Sequence, residues 1–195
     1  MSTLLQFDTS LFLWLNRPHC AWADLFFYYI STTWIWIPLY LLLSIFLLKK
    51  WGKEAVAIFI IVALVILTTD QTCNLLKNNV QRLRPSHTEA IAHQVQLVTT
   101  PSGAIYYGGQ FGFPSAHGAN TMAVGFIIFS FITFRKKWVV ALVLSWVFLV
   151  SYSRIYLGVH YPLDILCGWI LGACISLFWI WCYKKTIHVW CFAKK

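Results

Sequence analysis

The sequence predicts an all-α fold: a polytopic membrane helix bundle of about five transmembrane helices, plus an N-terminal interfacial amphipathic helix. Two observations carry this reading. Of 195 residues, 59% are hydrophobic and 11% charged, with mean hydropathy +0.69, too apolar for an ordinary soluble domain of this length. The apolar residues also gather in five stretches, each long enough to cross a hydrocarbon core of ~30 Å as a helix. Lipid offers no partner for backbone N–H and C=O groups, so each stretch must satisfy its own, which a helix does.

The chain begins with a segment too short to span, Leu4 to Asn16, in which Leu4, Phe7, Leu11, Trp14 and Leu15 share one helical face. That pattern predicts a helix lying in the interface. The segment lacks the basic start and small-residue cleavage site of a removable signal, so it is expected to stay in the mature protein. The five spans follow as Asp24–Leu48, Glu54–Leu76, His117–Phe134, Trp138–Leu157 and Leu163–Tyr183. Repeats, linkers and low-complexity tracts are absent from the sequence, which reads as one domain over residues 1–195.

The net charge of +9 is explained by where the basic residues fall. Lys49, Lys50 and Lys53 lie between the first two spans, Arg135, Lys136 and Lys137 between the third and fourth, and Lys184, Lys185, Lys194 and Lys195 after the fifth. The positive-inside rule makes that side, and with it the C-terminus, cytoplasmic. No nucleic-acid partner is needed to account for the charge. The six cysteines form no CxxC pair and no metal spacing. Cys20 and Cys73 both map to the outer side, where an oxidising compartment would allow them to pair.

Arg17, Lys77, Arg82, Arg84 and Arg154 remain on the other side. The second span turns polar near its end: Asp70 and Lys77 share a face, and Arg84-Pro85 is expected to end the helix. The third span opens with Pro114, Ser115, Ala116 and His117, which would aim free amides and the positive end of a helix at an anion. Between the fourth and fifth spans lie Arg154, His160 and Asp164. A carboxylate four residues from an imidazole can hold one ring nitrogen and leave the other as base or nucleophile. An arginine fork suits phosphate oxygens. Three polar patches meeting at one membrane level point to binding and transformation of a phosphate.

The spacing of these patches resembles the three-part signature of the type 2 phosphatidic acid phosphatase superfamily. Lys77 is followed after six residues by Arg84-Pro85; Pro114-Ser115-Ala116-His117 forms the second part; Arg154, His160 and Asp164 form the third. Ala116 stands where the family usually has glycine. The resemblance implies a metal-independent phosphatase without a cofactor. His160 would be the nucleophile, Asp164 its orienting acid and His117 the acid and base. Lys77, Arg84, Arg154, Ser115 and the amide of Ala116 would hold the phosphate. The six acidic residues form no obvious carboxylate cluster for a metal.

The partner implied is a lipid phosphate or lipid pyrophosphate in a bacterial inner membrane, reached from the periplasmic or exterior face. By analogy the leading substrate is undecaprenyl pyrophosphate, in cell-wall carrier recycling. Phosphatidylglycerophosphate, phosphatidic acid and lipid A 1-phosphate are the enzyme alternatives, and a lipid or anion transporter the alternative of another class. The loop Ser86 to Phe113 is expected to cover the site, with His87 and His93 as solvated loop histidines.

Overall fold

The computed structural model describes residues 3–132 and 137–193. The chain forms α1 (Thr3–Leu15), α2 (Ala21–Ile30), α3 (Ile37–Trp51), α4 (Ala55–Val80), α5 (Ala116–Ile127, continued to Ile132 by a π turn), α6 (Lys137–Tyr156) and α7 (Pro162–Ala193). Strand structure among the described residues is limited to two isolated bridges, Leu83 with Phe111 and Thr99 with Ile105. The stretches Trp34–Val80, Lys137–Tyr156 and Pro162–Thr186 are long and apolar enough to cross a membrane, and Ala116–Phe131 is a shorter apolar helix. The predicted helical membrane bundle is the observed fold.

Two expected boundaries differ. The first span does not begin at Asp24: α2 ends at Ile30, and α3 starts after a 3-10 turn at Trp34–Trp36. Pro38 in the first turn of α3 is a helix-start signal inside what reads as a continuous apolar run. Polar tethers hold α2 apart from α3. The Asp24 carboxylate accepts from the Tyr156 hydroxyl at 2.6 Å, and Ser31 is bonded by Arg154. The second difference is the end of α4, which stops at Val80 with Gln81 in the left-handed region (φ 51°). Arg84 therefore leaves the helix. Its backbone N–H donates to the Gln110 carbonyl, while the Gly112 N–H donates to Arg82.

The other spans lie close to expectation, and α7 runs on past Tyr183 to Ala193. Phe134, Arg135, Lys136, Lys194 and Lys195 lie outside the described residues. Cys20 and Cys73 are free thiols, Cys73 buried. In α1, Leu4, Phe7 and Trp14 are exposed, as an interfacial face requires, whereas Asp8 and Phe12 are buried against the protein.

The core lies between α4, α5, α6 and α7, where Ile58, Ile61, Val65, Ala123, Ile127, Val143 and Ile180 are buried together. Leu42, Ile60, Leu142 and Ile170, each more than half exposed, form part of the outer apolar shell. α5 packs closely on α7. A Cβ on Gly168 would come 2.5 Å from the Ser115 carbonyl oxygen, and one on Gly172 would overlap the Ala119 backbone. These two glycines, four residues apart, let the backbones touch. They also seat the N-terminus of α5 against the first turns of α7.

Candidate active site

Six segments deliver the predicted site residues to one end of the bundle. Lys77 comes from the last turn of α4, Arg84 from the loop after it, and Ser115, Ala116 and His117 from the start of α5. Arg154 ends α6, His160 lies in the α6–α7 connection, and Asp164 is in the first turn of α7. This end is opposite the Lys49, Lys50 and Lys53 turn, separated from it by the ~39 Å length of α4 at 1.5 Å per residue.

The α6–α7 connection reverses at Gly158, whose φ of +73° suits glycine. A Cβ there would also meet Leu97 Cδ2 at 2.7 Å. The reversal brings His160 Nδ1 to 3.5 Å from Asp164 Oδ2. That contact is longer than a formed hydrogen bond, as catalytic contacts often are before substrate tightens them. The same Asp164 oxygen accepts from the Tyr161 N–H at 3.0 Å. Asp164 and His160 are both buried. Gly112 closes over them: a Cβ on it would lie 3.0 Å from Asp164 Oδ2 and 3.6 Å from His160 Nδ1.

Ser115 is the N-cap of α5, its Oγ accepting from the Gly118 N–H at 3.3 Å. Its own N–H donates to the Asp164 carbonyl at 2.9 Å, which ties the two helix starts together. Pro114 thus precedes the cap. Ala116 and His117 are the first residues of α5, where N–H groups have no intrahelical partner and the helix end is positive.

Arg84 and Arg154 are buried. Arg84 Nε donates to the Phe111 carbonyl at 3.1 Å. Arg154 donates through Nη1 to Ser31 Oγ and through Nη2 to the Tyr106 hydroxyl at 3.2 Å, while its Nε has no hydrogen-bond partner among the described residues. Among the described residues, none of Lys77, Arg84 and Arg154 forms an ion pair. Burial and the Arg154 charge push Arg84 down to about 10, which leaves it charged at neutral pH. Burial, then the charges of Arg84, Arg154 and Lys77, hold His160 well below the ordinary imidazole range. The ring is neutral at pH 7, the form in which imidazole is nucleophilic. Three uncompensated cations around a neutral histidine and a helix N-terminus make a site for a polyanion.

Several supporting residues were not singled out for the site from sequence. Arg82 bridges Asp164 Oδ1 at 2.7 Å and Asp8 Oδ2 at 2.6 Å. Asp8 also accepts from the Leu163 N–H at 2.9 Å, at the start of α7. Only the RLR run hinted at Arg82, and nothing local pairs it with residue 8. The loop from Ser86 to Phe113 folds over the site through Tyr106, Gly108 and Gly112, with a Cβ on Gly108 reaching Arg84 Nη1 at 2.5 Å. His93 is exposed and His87 half-buried against Tyr107. Among the described residues no group of three or more His, Cys, Asp or Glu side chains is placed to hold a metal ion.

A cavity of about 550 Å³ opens beside the site. Ala116, His117, Asn120 and Asp70 line its polar end, and Leu47, Ile127 and Ile128 lie at its far end. The walls between are mainly apolar. Asp70, on the Lys77 face of α4, accepts from Asn120 Nδ2 of α5 at 2.8 Å.

The sequence and fold have known counterparts. The lipid A 4′-phosphatase of Bacteroides thetaiotaomicron is 39% identical over 190 residues, covering 95% of this chain and 81% of that protein. The undecaprenyl-diphosphatase of Sulfolobus acidocaldarius is 29% identical over 177 residues, covering 88% and 76%. The crystal structure of a PAP2 type phosphatidylglycerolphosphate phosphatase from Bacillus subtilis superposes with a TM-score of 0.69 at 19% identity, over 96% of this chain and 89% of that one. The sequence pattern of the PAP2 superfamily matches residues 54–188. With the bundle and the phosphate-type site already in view, these matches establish the chain as an integral membrane phosphatase that belongs to the PAP2 superfamily.

Proposed function

We propose that this protein removes a phosphate monoester from a lipid A-type glycolipid, most readily at the 4′ position, through a phosphohistidine on His160. The observation that carries the reading is the cluster of two buried arginines, Arg84 and Arg154, and the half-buried Lys77, none of them ion-paired among the described residues, beside a neutral histidine backed by Asp164. The choice of lipid rests on the lipid A 4′-phosphatase relative being more similar, over more of both chains, than the undecaprenyl-diphosphatase relative. Undecaprenyl pyrophosphate, favoured by analogy from sequence, becomes the second candidate.

In this reaction Lys77, Arg84 and Arg154, with Ser115 and the amides of Ala116 and His117, hold the three non-bridging oxygens as charge redistributes. His160 Nε2 attacks phosphorus in line, forming the N–P bond as the P–O bond to the lipid breaks. Asp164 balances the positive charge that develops on the ring. The phosphate's charge offsets the three cations and lets His117 hold a proton, which it gives to the leaving oxygen. His117 then takes a proton from water, whose oxygen attacks phosphorus and releases inorganic phosphate and free His160. No step calls on a metal.

The site faces the periplasm or exterior, because the basic turn at Lys49, Lys50 and Lys53 lies at the other end of α4. The cavity would take an acyl chain of the same lipid. The test is phosphate release by detergent-purified protein from lipid A and from undecaprenyl pyrophosphate, with EDTA present, for the parent and His160→Ala. Faster, EDTA-resistant release from lipid A that vanishes in the variant supports the reading, with mass spectrometry assigning the position lost. Preference for the pyrophosphate overturns the lipid assignment. Activity without His160 overturns the mechanism.

A further inference from the structure

We propose that Asp70 sets the selectivity of the site, rejecting lipid diphosphates and accepting phosphomonoesters whose leaving group carries hydrogen-bond donors. This rests on the phosphatase reading above and deepens it. Asp70 has no part in the chemistry, yet it is an acid within a membrane-crossing stretch, where an ionisable group marks function by default.

Its position is fixed by two helices. On α4 it precedes Lys77 by seven residues on the same face, ~10 Å deeper along the axis. On α5 its partner Asn120 lies ~6 Å below the Ala116 amide, and that hydrogen bond, 2.8 Å long, holds Oδ1. Among the described residues no hydrogen bond reaches Oδ2, and Asp70 lines the cavity with Asn120 and His117. The carboxylate therefore stands just on the membrane side of the phosphate cradle, in an otherwise mainly apolar cavity.

In-line attack sends the leaving group away from His160 and toward His117, the proton donor that borders this cavity. Whatever is bonded to the leaving oxygen enters the neck beside Asp70. For a phosphorylated sugar that atom is carbon, with hydroxyl or amide donors nearby for Oδ2 to accept. For a lipid diphosphate it is a second phosphorus bearing negative oxygens, set against a carboxylate. Like charges brought together in a confined site oppose binding, and selectivity commonly comes from such a repulsive element.

The test compares kcat/KM for lipid A bearing a 4′-phosphate with that for undecaprenyl pyrophosphate, in the same mixed micelles, for the parent, Asp70→Asn and Asp70→Ser. Asp70→Asn keeps size and hydrogen-bonding capacity while removing the charge; Asp70→Ser removes the charge by another route should the first fail to fold. The monoester-to-diphosphate ratio is expected to fall about tenfold or more in either variant, the effect of ~1.4 kcal/mol of lost discrimination. An unchanged ratio, from no effect or from equal losses on both lipids, overturns the proposal, as does a ratio that rises. A parent inactive on lipid A but active on phosphatidic acid, whose leaving group has no hydrogen-bond donor near the leaving oxygen, would remove the glycolipid reading and the preference for donors, leaving the rejection of diphosphates to be judged. The Asp70 ratio would then be read with phosphatidic acid as the monoester.

Discussion

Replacing Arg82 with alanine should damage both stability and turnover. Its guanidinium joins Asp8 and Asp164 at 2.6 and 2.7 Å, and those acids have side-chain exposures of 5% and 0%. Without it Asp8 keeps the Leu163 N–H and Asp164 the Tyr161 N–H, but neither keeps a contacting cation. Removing one partner of a buried pair costs about 3–5 kcal/mol because a charge is left uncompensated. For a chain of this length each kcal/mol moves Tm by roughly 2–4 °C, so the expected drop is about 6–20 °C. Tryptophan fluorescence during thermal unfolding of the detergent-purified protein measures it. The double variant Arg82→Gln with Asp8→Asn should recover part of the loss, since one stranded charge is gone. Turnover should fall more than KM rises, because Asp164 no longer holds its place beneath His160. A Tm change below about 2 °C would mean the bridge is worth no more than a surface pair, and the reasoning would fail.

Other perturbations probe separate parts of the site. Gly112→Ala adds a Cβ 3.0 Å from Asp164 Oδ2 and should lower kcat by about tenfold through displacement of the pair, read by phosphate release with Tm as the folding control. Gly172→Val should prevent accumulation of folded protein, because its side chain would overlap the Ala119 backbone; size-exclusion chromatography in detergent reads that outcome. For pH, burial and three cations depress His160, so its neutral, reactive form persists as pH falls through 6.5. Arg84→Gln removes one of those positive charges and should move the acid limb of kcat/KM upward toward ordinary imidazole values, beside a rate loss of about 10²-fold or more. A downward move would contradict the assignment.

Local pattern carried much of the site. Lys77, Arg84, Ser115, Ala116, His117, Arg154, His160 and Asp164 could be picked out because each lies near a helix end whose position follows from apolar run length and from Pro or Gly punctuation. The same logic misjudged the start of the first span and the end of α4, which stops at Val80 before Arg84. Ser31, Thr32 and Thr33 do not by themselves break a helix, and the separation of α2 from α3 comes with distant tethers, Tyr156 to Asp24 and Arg154 to Ser31. Gly168 and Gly172 stand four residues apart in the sequence, but only the fold sets them against Ser115 and Ala119.

The sequence by itself determined that the chain is a membrane helix bundle, which helix ends are polar, and which residues those ends carry, because hydropathy and helical period act over neighbouring residues. Tertiary structure decided which acid meets which base. It joined Arg82 to Asp8 and Asp164, 74 and 82 residues away, left Lys77, Arg84 and Arg154 without an ion pair among the described residues, and gave Asp70 to Asn120 of another helix. Charge pairing acts over a few ångströms of space, and in a folded chain that distance bears no fixed relation to separation along the sequence.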